Sequence, residues 1–377
     1  MDFALDAEAV AVGDVAADVF SRHQSQWESK FGREARDPDP AAVPGGFDDV
    51  LWQALGAAGL TALALPAALG GDDLGVLAVL PLLRRMGESA GVAPVIGSLT
   101  SALVLAAVGA DTADRQPAGP RDRWARTLTG GAWHAIALGE VGDPLTATPR
   151  TTLADGTLTG TKTGVLHADG ATAFLVAADA GVVAVAADAP GISLTRTTTS
   201  SGWGEFTVTF DAVPVAADDL LTTDLSVLRD RYRIALCAYA DGLVAGATRL
   251  TADHVCTREQ FGKPIALFQA VGQQLADIYV IGRSMTLATT AAAWRISEGL
   301  DAQQDLGIGT YWLAAEIPAT LRTMTHLHGG VGVDLTYPLH RYFSIAKDLA
   351  RLAGGGQERL DELAAGGHPT TDVAGAA

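Results

Sequence analysis

A break between two long helical runs constrains this chain more than any other feature. From about Asp230 to Thr257 there is no proline and only two glycines, with Leu236, Leu243, Val244 and Leu250 among the apolar positions. After the break, Phe268, Val271, Leu275 and Ile278 recur at helical spacing. Between the runs, Arg258-Glu-Gln-Phe-Gly-Lys-Pro-Ile265 holds Gly262 and Pro264, which end helices. The pattern predicts a helical hairpin. Its tip carries Arg258, a planar, permanently charged fork suited to a phosphate.

The 377 residues suggest two or three domains, and 48% hydrophobic residues are enough for sizeable cores. A net charge of -17 offers no basic field for a nucleic acid, so none is expected as a partner. No apolar run is long enough to span a bilayer. The opening Met-Asp-Phe-Ala-Leu-Asp-Ala-Glu is acidic and lacks a basic n-region, so no signal peptide is expected. Cys237 and Cys256 both lie on the first helical run, roughly 28 Å apart at 1.5 Å per residue. They cannot pair at that distance, and a reducing, cytoplasmic setting is expected.

The texture divides the chain. Residues 1–122 read as helical: residues 47–60 have apolar positions at helical spacing, Pro66 and Gly70-Gly71 punctuate, and residues 74–87 resume a helix. Residues 123–223 are rich in Thr, Val and Gly. They alternate, as in Phe206-Thr-Val-Thr-Phe210, and turn at Ala154-Asp-Gly156 and Asp188-Ala-Pro-Gly191, which predicts a β domain. Helices return over 224–365, and the small, polar 366–377 is expected to be disordered. The fold class is α+β: an N-terminal α-helical domain, a middle β domain and a C-terminal helical bundle.

Leu327-His-Gly-Gly-Val-Gly332 lets backbone approach a ligand closely, although a plain glycine turn ending a helix reads the same. His326-x-His328 with His340 lacks the further ligands that a zinc site needs, so no metal is expected. Gly156-Thr-Leu-Thr-Gly-Thr-Lys162-Thr163 has the wrong spacing for a P-loop.

Together Arg258, Gln260, Phe261, Gly262, Pro264, Ile265, Phe268 and Gln269 resemble the acyl-CoA dehydrogenase signature R-x-Q-F-G-x-P-I-x-x-F-Q. The likeness extends to Trp52-x-x-Leu55, to Pro66 with Gly70-Gly71, to Leu158-x-Gly160-x-Lys162 and to Phe210-Asp-Ala-Val. It implies a four-helix C-terminal bundle and FAD as cofactor. It implies that Arg258, Gln260, Phe261, Gly262 and Gln269 meet the FAD of a neighbouring subunit, with Arg258 on the pyrophosphate. Gly329, Gly330 and Gly332 resemble the family's Q-x-x-G-G-x-G on the adenosine half, with His326 in the glutamine's place.

The departures are as informative. The aromatic, aliphatic and Thr or Ser that flank the flavin ring are Gly164, Val165 and Leu166 here. The T-E-P-x-x-G-S-D segment is reduced to Leu138-Gly-Glu-Val-Gly-Asp143, and R-D-A-K becomes Ser344-Ile-Ala-Lys347. The reaction of this family removes an α proton with a carboxylate while the β hydride goes to flavin. The glutamate of Y-E-G-T falls at Ala353 or Gly354, and the alternative base position falls near Tyr232. Asp241 is the nearest carboxylate deeper in that helix, nine residues out of register.

The resemblance therefore implies a subunit for α,β-dehydrogenation of an acyl-CoA, as in fatty-acid or steroid side-chain breakdown. It implies the base-lacking partner of a second acyl-CoA dehydrogenase-like subunit in an α2β2 heterotetramer, with electron-transfer flavoprotein as acceptor. Three alternatives stand beside it: a self-associating, self-sufficient homotetramer using Asp241 or Tyr232, a flavin monooxygenase or oxidase on the same fold, and a structural partner without flavin.

Overall fold

The computed structural model describes residues 6–31, 46–108, 120–128 and 131–365, so the tail expected to be disordered lies outside the described residues. Five helices come first: α1 (Ala7–Phe31), α2 (Asp49–Ala57), α3 (Val76–Glu88), α4 (Val95–Ala107) and α5 (Pro120–Arg126). Asp48 caps α2, accepting the N–H groups of Val50 and Leu51 at 3.1 Å, and turns Leu51, Trp52 and Leu55 inward. α5 crosses the expected boundary at 122, so Trp124 is helical and the strands start later.

Eight strands follow: β1 (His134–Ala137), β2 (Thr152–Ala154), β3 (Thr157–Leu166), β4 (Ala173–Ala178), β5 (Gly181–Ala186), β6 (Ile192–Thr197), β7 (Glu205–Pro214) and β8 (Leu220–Thr222). They form two four-stranded sheets, ordered β1-β4-β5-β8 and β2-β3-β7-β6. Only the β1–β4 pair is parallel. The predicted Asp155-Gly156 turn joins β2 to β3 with φ of 50° and 71°, the left-handed pair that suits a tight hairpin. Between the sheets, Phe174 meets Phe210 edge to face, with centroids 6.0 Å apart.

The C-terminal part holds α6 (Ser226–Thr257), a short hairpin of β9 (Glu259–Gln260) and β10 (Lys263–Pro264), α7 (Gln269–Ser297), α8 (Gln303–Tyr311), α9 (Ile317–His328), α10 (Leu339–Leu352) and α11 (Gly356–Ala365). α8 runs into α9 through a π turn at Trp312–Glu316, just before Pro318, which cannot donate to the helix ladder. Thus α6, α7, α8–α9 and α10 make the four long members of a bundle.

α3 docks against α6 through glycine. A Cβ on Gly87 would lie 1.9 Å from the Tyr239 carbonyl, and one on Gly242 would lie 1.9 Å from the Arg84 carbonyl. The backbones touch, and the N-terminal helices and the bundle share one apolar core. Among the described residues, no helix is long and apolar enough to cross a membrane, and no group of three or more His, Cys, Asp or Glu could hold a metal ion.

Candidate functional site

The predicted hairpin tip projects from the bundle. α6 ends at Arg258, whose N–H donates to the His254 carbonyl at 2.8 Å. Phe261 and Gly262 form the turn, with φ of 53° and 78°. Phe261 is 93% exposed although it is a large aromatic. Arg258, Gln260, Gly262 and Gln269 are exposed as well. The Arg258 guanidinium makes no hydrogen bond or ion pair among the described residues. Lys263 lies over the Phe268 ring at 4.3 Å, and Phe268 meets Phe261 edge to face, which stiffens the tip from behind.

The glycine motif ends α9. Gly329 has φ of 61°, and a Cβ on either Gly329 or Gly330 would meet nothing within 4 Å. Both present open backbone. Gly332 serves the loop instead. A Cβ there would fall 2.5 Å from the Thr325 carbonyl, so its bareness lets the loop fold back on α9. His326 is exposed, while His328 is buried.

The groove between the β domain and α10 is built the opposite way. Gly164 has φ of 69°, and a Cβ on it would lie 2.7 Å from Leu352 Cδ2. Leu352 thus fills the ground in front of Gly164, and Val165, Leu166 and Ala353 are buried with it. Two polar ties hold α10 there. Asp348 accepts hydrogen bonds from the Ser200 N–H (2.9 Å), the Ser201 N–H (2.8 Å) and the Ser201 hydroxyl (2.6 Å). Arg351 pairs with Glu205, which is 1% exposed and opposes Leu166 across β3 and β7. Burial pushes the Glu205 carboxyl above the usual range, against the pull of Arg351.

None of these tying residues is a candidate on sequence grounds. Glu205 and Arg351 stand 146 positions apart, and Ser200 and Asp348 stand 148 apart, so no local pattern marks them. The reduced 138–143 segment is also held firmly. Lys162, fully buried, donates to Glu140 at 2.8 Å, and Arg150 and Thr151 add further donors. Burial alone would raise the Glu140 carboxyl, but these hydrogen bonds outweigh it and hold the pKa at about 2. Lys162, which the sequence places in the family-like turn, is therefore the clamp of this loop.

The base candidates fare unevenly. Ala353 is wholly buried at the end of α10, and Gly354 continues in a left-handed turn with φ of 93°. Tyr232 is buried, and burial, with Glu205 nearby, pushes its hydroxyl far above its ordinary value. The Asp241 carboxylate is already engaged: it pairs with Arg84 at 3.1 Å and accepts from the Thr286 hydroxyl at 2.6 Å. It lines a cavity of about 290 Å³ bounded by α1, α3, α6 and α7. Asp241 thus ties α6 to α3 and α7. The structure does not bring it together with Tyr232, Glu205 and Ala353.

The chain is similar to known proteins over nearly its whole length. The family profile described as "Acyl-CoA dehydrogenase, C-terminal domain" matches residues 229–366. The acyl-CoA dehydrogenase FadE28 of Mycobacterium tuberculosis is 40% identical over 366 residues, covering 97% of this chain and 98% of its own. A structure of a variant of the Tcur3481-Tcur3483 steroid ACAD superposes with a TM-score of 0.85 at 32% identity, covering 96% of this chain and 98% of the other. The ChsE4-ChsE5 complex from Mycobacterium tuberculosis gives 0.82 at 30% identity, covering 97% and 98%.

Proposed function

Because the chain belongs to the acyl-CoA dehydrogenase family, an FAD-dependent group of oxidoreductases acting on CH–CH bonds, we propose that it serves as a cofactor-donating subunit without a base of its own. It pairs with a second acyl-CoA dehydrogenase-like subunit that supplies the base. Arg258 holds the pyrophosphate of an FAD shared with that partner, and Gln260, Phe261, Gly262 and Gln269 border it. His326, Gly329 and Gly330 form the adenosine side, and Gly332 folds the loop that presents the two glycines. When bound, FAD supplies the hydride acceptor for the substrate β carbon. This chain's residues bind and orient the cofactor from outside, through charge and open backbone.

One observation carries the reading. The surface for a neighbour's cofactor is exposed and uncommitted at Arg258 and at Gly329-Gly330, whereas Leu352 fills the chain's own groove at Gly164. The relatives support a substrate class. A steroid ACAD pair and the ChsE4-ChsE5 complex are both named as two-component assemblies, so the substrate here is an acyl-CoA, with a steroid-bearing thioester as the first to test. Electron-transfer flavoprotein is the acceptor in this reading.

The test is reconstitution. Alone, the chain should turn over acyl-CoA with a dye acceptor on the order of 10²–10⁴-fold more slowly than the complex with a base-bearing partner, the usual cost of a missing general base. Equal rates from the single chain would overturn the reading.

A further inference from the structure

Of the His326-x-His328 pair, His326 belongs to the proposed adenosine side, and the structure gives His328 a separate use. His326 and His328 are two apart on α9, so they do not share a helix face. His326 is exposed, whereas His328 is 5% exposed and turned toward α6. There it stacks on His254, with centroids 4.3 Å apart and planes 21° from parallel. His328 Nδ1 donates to the Met324 carbonyl at 2.8 Å, which fixes the tautomer. Nε2 is then left to accept from the Tyr337 hydroxyl at 3.2 Å, and the Tyr337 ring lies 5.2 Å from the imidazole. Burial lowers the pKa of both histidines; His328 and Arg258 push His254 the same way, while the backbone carbonyls of Met324 and Leu250 act on His328 in the opposite sense.

Each histidine sits in the last turn of its helix, immediately before one half of the exposed face. The His254 carbonyl accepts the Arg258 N–H at 2.8 Å, and also the Thr257 hydroxyl at 3.2 Å. His328 immediately precedes Gly329, and the loop beyond it folds back so closely that a Cβ on Gly332 would lie 3.0 Å from His328 Cβ. The ends of α6 and α9, far apart in the chain, are thus joined ring to ring just before Arg258 and Gly329-Gly330. We infer that His254 and His328 are positioning residues, setting the spacing between the Arg258 guanidinium and the open glycine backbone so that both can grip one FAD pyrophosphate–adenosine unit. This rests on the reading of that face as a donated cofactor site. Neither imidazole touches the cofactor.

The experiment uses the assembled complex with its base-bearing partner and reads FAD release by flavin fluorescence. The variants are H328A, H328F, H254A and R258A, with assembly followed by gel filtration. H328A loses the stack and should release FAD about two- to tenfold more readily, the usual worth of such a ring pair. H328F keeps a ring against His254 and should restore most of the affinity. H254A reads the same contact from the other helix and should match H328A, which keeps the test intact if H328A fails to assemble. Wild-type retention in H328A and H254A while R258A loses flavin would overturn the inference and leave the cofactor face standing. So would a loss in H328F as large as that in H328A. Retention in R258A as well would overturn the underlying reading.

Discussion

The tip at residues 258–269 and the packed contact at Gly164, the two half-sites of the proposed reading, are built on opposite physical rules. Behind the tip, Lys263, Phe268 and Phe261 pack on one another, and most of its other side chains face outward. Phe261 stands 93% exposed, and Arg258 has no partner for its guanidinium among the described residues. The groove commits everything inward: Leu352 against Gly164, Arg351 on Glu205, and Asp348 on Ser200 and Ser201. The exposed arginine is simply solvated, but Phe261 and Leu267, both largely exposed, leave apolar surface at the tip that a covering neighbour would remove from water. A closed groove needs no such cover. On the proposed reading the two half-sites serve different chains: one face is kept for a neighbour, while the other is built as core.

The sharpest way to break this comparison is to remove the charge from the open face. Arg258→Ala should lower FAD affinity of the assembled complex by about ten- to a hundredfold, since a charge-assisted hydrogen bond is worth roughly 1.5–3 kcal/mol. Arg258→Lys should recover only part, because an ammonium lacks the planar fork. Flavin absorbance after gel filtration checks both. If Arg258 merely caps its helix, flavin content should be unchanged and lysine should serve fully.

The closed side should answer in stability. Arg351→Ala leaves Glu205 buried without its partner and should cost about 1–3 kcal/mol, the range for an unsatisfied buried group beside a half-exposed arginine. Denaturant unfolding reads the loss, and FAD affinity of the complex should stay near wild type. A fall in FAD affinity without a fall in stability would mean that this groove also holds cofactor.

The remaining expected effect is a slope with pH. His134 is fully buried beside the Thr127 hydroxyl (2.6 Å), and burial lowers its pKa from 6.5 to about 3. Below 6.5 the unfolded chain takes up a proton that the folded chain refuses. Its contribution is therefore complete above that pH and declines as pH falls toward 3. His134→Gln should flatten this part of the stability profile, measured as unfolding midpoint against pH. An unchanged slope would place the acid sensitivity elsewhere.

Much of the open face can be read in the sequence, because its signals are local. A helical run, a Gly-Pro break and an arginine beside the break define the hairpin, and in the β domain the Asp155-Gly156 pair likewise defines the β2–β3 turn. The loss of the aromatic at Gly164 and of the glutamate near Ala353 is legible too. What replaces them is not. Leu352 reads as an ordinary apolar position of α10, and only the fold brings it to Gly164. Glu205 and Arg351 meet across 146 positions. The His254–His328 stack likewise joins two helix ends, and a His-x-His pattern read alone suggests only a metal to be rejected. Asp241 shows the same limit from the other side: its ties to Arg84 and Thr286, at the wall of a cavity between α1, α3, α6 and α7, carry no local signal in the sequence.

The measurement that tests the central claim most directly is the flavin count of the assembled complex. Each copy of this chain should lend its open face to one FAD and hold no isoalloxazine ring in its own groove. An α2β2 assembly should therefore release two FAD on denaturation, quantified by absorbance against protein mass. Four FAD would contradict the account, because the groove that Leu352 fills at Gly164 would then have to open and accept a flavin ring.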